Sequence, residues 1–142
     1  MLFTAIIDFI YANRKNGRRG CFMWTDEGLD AYIKWAFSRN GILITLSDNK
    51  ISGLAIVYAL PNGYSGKISS LLPSDSKYEF DENKSDLCVM DWIALNPDAR
   101  KGLITQFQQR FPNWEAQNKY GIHFRKVKLL SNKYMNILKG LN

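Results

Sequence analysis

The stretch Leu87-Cys88-Val89-Met90-Asp91-Trp92-Ile93-Ala94-Leu95-Asn96-Pro97 limits this chain more than any other. Its apolar run is dense enough for a strand buried on both faces, and such a strand needs a covered sheet around it. One carboxylate, Asp91, interrupts the run. Burying a charge is costly unless it is paired or put to use, which makes Asp91 the first candidate for function. The alternative is a carboxylate near a strand end that bonds a neighbouring backbone group and does nothing more. Asn96-Pro97 stops the strand, and helical periodicity follows at once.

The rest of the chain supplies neighbours for that strand. Residues 2–13 put Phe3, Ile6, Ile7 and Ile10 at helical spacing, with Asp8 off that face, Arg14 and Lys15 in the last turn and Gly17 beyond it. Thr25-Asp26-Glu27 is a helix start, an N-cap hydroxyl followed by acids. Leu29, Tyr32, Ile33, Ala36 and Phe37 form the apolar face of that helix, with Trp35 beside it, and Asn40-Gly41 ends it. Residues 42–46 and 51–60 are β-rich runs around Ser47-Asp48-Asn49-Lys50, the pattern of a hairpin. Gly53 marks a bulge or a close backbone approach. Residues 62–86 read as a long loop.

Residues 98–111 are predicted helical, with Leu103, Phe107 and Phe111 on one face, Ile104 close by, and Pro112 as the stop. Residues 113–118 and 121–130 read as two more strands. Ser131 caps a short last helix carrying Tyr134, Met135, Ile137 and Leu138. The expected fold is one domain over 1–142 of class α/β (α+β). It has a central, mainly antiparallel sheet, helices on both faces, and 87–95 as a central strand.

Composition narrows the function classes. A chain of 142 residues with 46% hydrophobic residues can bury a core, which excludes a disordered chain. Two cysteines and one histidine exclude a disulfide framework, and a four-ligand zinc site would need carboxylates. Cys88 is expected to be an inert core thiol, whereas Cys21 follows Arg18 and Arg19. No apolar run approaches a membrane span. The apolar start holds Asp8 and has no basic flank, so it reads as a helix and not a secretory signal, and the expected location is the cytoplasm. The net charge of +6 favours anionic partners. Arg14, Lys15, Arg18 and Arg19 form an anion clamp or a solvated loop. Arg125, Lys126 and Lys128 interleave with apolar residues in the late strand.

The element order, with the segment Asp91-Trp92-Ile93-Ala94-Leu95-Asn96-Pro97-Asp98-Ala99-Arg100-Lys101-Gly102, resembles the GNAT superfamily of acyltransferases. The segment is similar to the end of that family's fourth strand and its pyrophosphate loop. Asp91-Trp92-Ile93-Ala94, Phe111-Pro112 and Arg125-Lys126-Val127 also fall in the order of the toxin-activating lysine acyltransferase branch. The resemblance implies an acyl donor, acyl-CoA or acyl carrier protein, and an amine acceptor. It implies Asp91 as base or orienter and Leu95, Arg100, Lys101, Gly102 and Ile104 around the carrier. Tyr134 or Tyr120 would then be the acid, and His123 is a further catalytic candidate.

The sequence also departs from the family. Arg100-Lys101-Gly102-Leu103-Ile104 is one residue short and lacks the second glycine that lets backbone approach phosphate, and Ile104 adds bulk there. The toxin-activating branch carries a histidine near its N-terminus, and the single histidine here is His123. Two classes therefore stand. One is a GNAT-like acyltransferase with a divergent cofactor loop. The other is a catalytically inactive GNAT-shaped protein of a phage or mobile element, in the host cytoplasm, binding nucleic acid or an acidic protein through Arg18, Arg19, Arg125, Lys126 and Lys128.

The second class has a direct test. Four or five of these cations engaged on duplex DNA give a log–log salt slope of about −4. A fluorescence titration at two salt concentrations reads it, and absence of binding at about 50 mM salt, where such contacts remain strong, removes nucleic acid as a partner.

Overall fold

The structure, a computed structural model, describes residues 2–13, 26–60, 85–123, 126–130 and 132–140. The elements are α1 (Leu2–Asn13), α2 (Asp26–Ser38), β1 (Ile42–Ser47), β2 (Lys50–Leu60), β3 (Asp86–Ala94), α3 (Pro97–Arg110), β4 (Lys119–His123), β5 (Lys126–Leu129) and α4 (Asn132–Leu138). Arg14, Lys15, Gly17, Arg18, Arg19, Cys21, Thr25, residues 61–84, Arg125 and Ser131 lie outside the described residues.

Local chemistry sets the hairpin. Asp48 and Asn49 both take positive φ, 52° and 64°, which is what a two-residue turn matching the strand twist requires. Asn40 likewise takes φ 55° to end α2, and the Gly41 amide closes back on the Ala36 carbonyl at 2.9 Å. The five strands lie in the order β1-β2-β3-β4-β5. Among the described residues the pairs β1/β2, β2/β3 and β4/β5 are antiparallel, and β3/β4 is parallel. That parallel step is made by the crossover through α3, and β3 is the middle strand, as its composition demands.

Alternation along the strands feeds two cores. On one face Leu54, Ile56, Tyr58 and Cys88 pack with Ile6, Phe9 and Ile10 of α1 and Tyr32, Ile33 and Ala36 of α2. On the other, Leu43, Ala55, Val57 and Leu87 pack with Leu103 and Phe107 of α3, Phe111, Trp114 and Leu138 of α4. Helices thus cover both faces of a mixed, mostly antiparallel sheet. Two bulges adjust the register. One sets Ser52 between Gly53↔Thr45 and Ile51↔Leu46. The other sets Met90 between Val57↔Val89 and Ile56↔Asp91.

Several expectations are corrected. Residues 113–118 are not a strand: after Pro112 the chain makes a 3-10 turn, Trp114–Ala116, that drops Trp114 into the core against Phe107 with ring centroids 5.6 Å apart. Residues 121–130 are not one strand but the end of β4 and all of β5, paired from Tyr120↔Leu129 to His123↔Lys126. The successive cations Arg125 and Lys126 break the period-two pattern there, the signal of a change of strand. Phe37 is 43% exposed and meets only the edge of the core, against Phe3 at 5.2 Å. Trp35 packs inward instead, its ring 4.9 Å from Tyr58.

The start of β4 is pinned beside the start of β3. The Leu87 amide donates to the Asn118 carbonyl at 2.8 Å, and Gln117 Nε2 donates to the Ser85 carbonyl at 2.6 Å. Lys119, 5% exposed, donates through Nζ to the carbonyls of Trp114 and Gln117 and lies over the Trp114 ring. Burial lowers its pKa, and the Glu115 charge opposes that shift.

Gly53 is a close approach as well as a neighbour of a bulge. A Cβ there would stand 2.5 Å from Thr45 Oγ1 and 3.2 Å from both Ala99 Cβ and Leu103 Cδ1. Gly53→Ala is therefore expected to destabilise the protein by about 1–3 kcal/mol through overpacking, although alanine suits a strand better. Urea unfolding of the variant beside the wild type measures it.

Candidate functional site

The parallel ladder between β3 and β4 is short. It comprises Leu87↔Lys119, Cys88↔Tyr120 and Val89↔Gly121. The ladder ends at Val89↔Gly121, while β2 stays paired to β3 as far as Gly53↔Ala94. The β4-side edge of β3 from Met90 to Ala94 has no ladder among the described residues. Five residues of extended chain give an edge of roughly 16 Å. The Met90 bulge lies where that ladder ends. A bulge disrupts pairing and re-aims the next side chain, and that side chain is Asp91.

Asp91 is 2% exposed. Its pairing with Ile56 puts it on the face covered by α1 and α2. Carrying the ladder two residues past Val89↔Gly121 would set Asp91 and His123 level with each other. The side chain of His123 lies outside the described residues. Tyr120 pairs with Cys88, and burial first, then the Asp86 charge, raise its pKa, so it keeps its proton at neutral pH. Tyr134 is not part of this arrangement. It is 52% exposed on α4, the helix that packs on the α3 side, so the sheet separates it from Asp91.

The carrier-binding candidates fall at the turn from β3 into α3. The Leu95 amide donates to the Ser52 carbonyl at 2.9 Å, so Leu95 has no free N–H for a carrier. Arg100, Lys101, Gly102 and Ile104 lie inside α3 and not in a loop. Lys101 is exposed and Ile104 is buried in the core. Gly102 serves packing: a Cβ there would stand 2.7 Å from Thr45 Cγ2.

The helix end is also self-capped. Asn96 Oδ1 accepts from the Ala99 amide at 2.8 Å, and the Asn96 carbonyl accepts from the Arg100 amide at 3.1 Å. Pro97 has no donor, which leaves the Asp98 amide beside an acidic side chain. An anion needs these backbone donors and is repelled by an acid in the first turn. Asn96 is the residue whose role the strand-end reading missed. The signal was present, since Asn before Pro and an acid is a helix cap.

The remaining candidates divide. Cys88 is fully buried, and burial pushes its thiol up to about 12, with a weaker opposing hydrogen bond to Tyr58, so it is an inert core thiol. Tyr58 is raised as well, first by burial and then by Tyr32 and Cys88. The side chains of Arg18, Arg19, Arg125, Lys126 and Lys128 lie outside the described residues. No helix of the described residues is long and apolar enough to cross a membrane.

No family model, curated protein or solved structure matches this chain.

The capped end of α3 predicts weak binding of free coenzyme A. Calorimetric titration with acetyl-coenzyme A is expected to give a Kd above about 1 µM, weaker than about −8 kcal/mol. A tighter complex would mean that the diphosphate is held somewhere other than this helix end.

Proposed function

We propose that this chain is a GNAT-like acyltransferase that moves an acyl group from a pantetheine thioester to an amine. The observation that supports the reading is the short β3/β4 ladder, which ends beside the buried Asp91 and leaves the β3 edge beyond it without a ladder among the described residues. An extended pantetheine arm can complete the β3 edge with its amides, and its thioester then lies near Asp91. Aminolysis needs the amine neutral, the carbonyl polarised and the leaving thiolate protonated. Asp91 is the base or orienter for the amine. Backbone amides along the open β3 edge polarise the carbonyl. Tyr120, which holds its proton, is better placed than Tyr134 to supply the acid, because it shares the Asp91 side of the sheet. The self-capped α3 favours acyl carrier protein over free acyl-CoA as donor, since a carrier protein anchors the arm through its own surface.

The same capped helix end supports the second reading, a GNAT-shaped protein that has lost catalysis and binds nucleic acid or a protein partner. Turnover separates the two. Wild-type protein given an acyl-pantetheine thioester and a primary amine is expected to release free thiol with formation of the amide. Asp91→Asn is expected to lower that rate by about 100-fold or more, the range for loss of a general base. Equal rates in the two proteins would exclude Asp91 from the chemistry, and absence of turnover with every donor would leave the binding reading.

A further inference from the structure

The junction between α2 and β1 is made of a chemically labile dipeptide, and the fold demands it. The chain leaves α2 with Asn40 at φ 55°, a conformation that favours Asn or Gly. The next position has no room for a side chain. A Cβ on Gly41 would stand 2.8 Å from the Val57 carbonyl oxygen and 3.2 Å from that of Ala36. Asn before Gly is also the pair in which the following amide nitrogen is least hindered. That nitrogen can attack the Asn side-chain carbonyl. A bond from the Gly nitrogen to Asn Cγ forms, the Cγ–NH2 bond breaks, and ammonia leaves with the proton of the attacking amide. Water then opens the cyclic imide at either carbonyl and yields aspartate or isoaspartate.

In the folded chain that attack is blocked. The left-handed region carries ψ of about +45°, which sets the next nitrogen nearly opposite Cβ across the Cα–C bond. The Gly41 amide donates to the Ala36 carbonyl at 2.9 Å, and the Gly41 carbonyl accepts from the Val57 amide at 2.8 Å. From the other side Arg110 of α3 reaches over. Its Nε donates to the Asn40 carbonyl at 3.0 Å and its Nη2 to the Arg39 carbonyl at 3.1 Å. Bringing the Gly41 nitrogen onto Asn40 Cγ means turning the peptide between them. That turn breaks the bonds to Ala36 and to Arg110 together.

We infer that Asn40-Gly41 is a conditional modification site, which stays an amide while Arg110 brackets the α2–β1 junction and converts to aspartate and isoaspartate when that bracket opens. Asn40 is exposed, so the water that completes the reaction is at hand. The change runs one way. Isoaspartate puts an extra methylene into the main chain and moves Gly41 out of step with Ala36 and Val57, so the junction does not close again. The inference is independent of the acyltransferase reading.

The test ages the intact protein at mildly alkaline pH, folded and in concentrated urea, and follows the Asn40 peptide by mass spectrometry. Asn16-Gly17 and Asn62-Gly63 are the same dipeptide, so peptide mapping assigns the conversion to Asn40. Conversion at Asn40 is expected to be at least about tenfold slower in the folded protein, because it follows the fraction of molecules whose junction is open. Arg110→Ala is expected to speed the folded rate by about threefold or more, as loss of its hydrogen bonds implies, and to leave the rate in urea unchanged. Ile6→Val loosens the α1–α2 core by a comparable amount and is expected to leave the folded rate as in the wild type. Equal rates in the folded and unfolded protein overturn the inference. So does an Arg110→Ala protein that ages like the wild type. An Ile6→Val protein that ages as fast as Arg110→Ala also overturns it, since global unfolding would then be the route and not the Arg110 bracket.

Discussion

Three parallel residue pairs between β3 and β4 decide what the rest of this structure can be. Everything before them is an antiparallel meander, and everything after them hangs on β4. The pairs are few, so the start of β4 needs further anchoring. Lys119 supplies it at a cost. An ammonium group taken out of water is worth keeping only if carbonyls replace the lost solvent, and those of Trp114 and Gln117 do so. Gln117 and Asn118 add bonds to the beginning of β3. One end of the strand pair is held tightly, and the ladder stops after three pairs.

That arrangement divides labour between the two faces of the sheet. The α3 side is packed throughout with aromatic rings, with Trp92, Phe111 and Trp114 all within about 6 Å of Phe107 by centroid. The α1–α2 side carries the polar chemistry: Asp91, Tyr120 and the Tyr32, Tyr58, Cys88 group. A rigid face behind a strand lets its other face hold a charged group in one geometry. The Met90 bulge is the device that turns Asp91 to that side, since without the extra residue it would share a face with Val89 and Leu87.

Much of this was legible in the sequence, and the exceptions have physical causes. Periodicity located α1, α2, α3 and the hairpin, because each buries one regular stripe. It placed Asp91 in a buried central strand for the same reason. The chain after Pro112 was misread because a buried Trp114 and a buried Lys119 break every alternation rule in the space of six residues. Asn96 was read as a strand stop when it is also the cap of α3. The Met90 bulge and the early end of the β3/β4 ladder leave no local pattern, since both arise from how distant strands meet. Tyr134 was as plausible as Tyr120 until topology put the sheet between it and Asp91.

The contacts made by α3 reach beyond the core it covers. Gln106 Nε2 donates to the Ile44 carbonyl at 2.8 Å, and Arg110 donates to the carbonyls of Asn40 and Arg39 at 3.0 and 3.1 Å. Because Leu43 and Gly41 turn their backbone groups inward to β2, Ile44 turns its own outward, along the rim of the sheet. A bare rim is a template on which a second chain can add a strand, and sheets that leave it open risk joining edge to edge. Here a helix from one face extends its side chains around β1 and occupies that acceptor. The same helix that opens at the end of β3 therefore also guards the far border of the sheet against unwanted company.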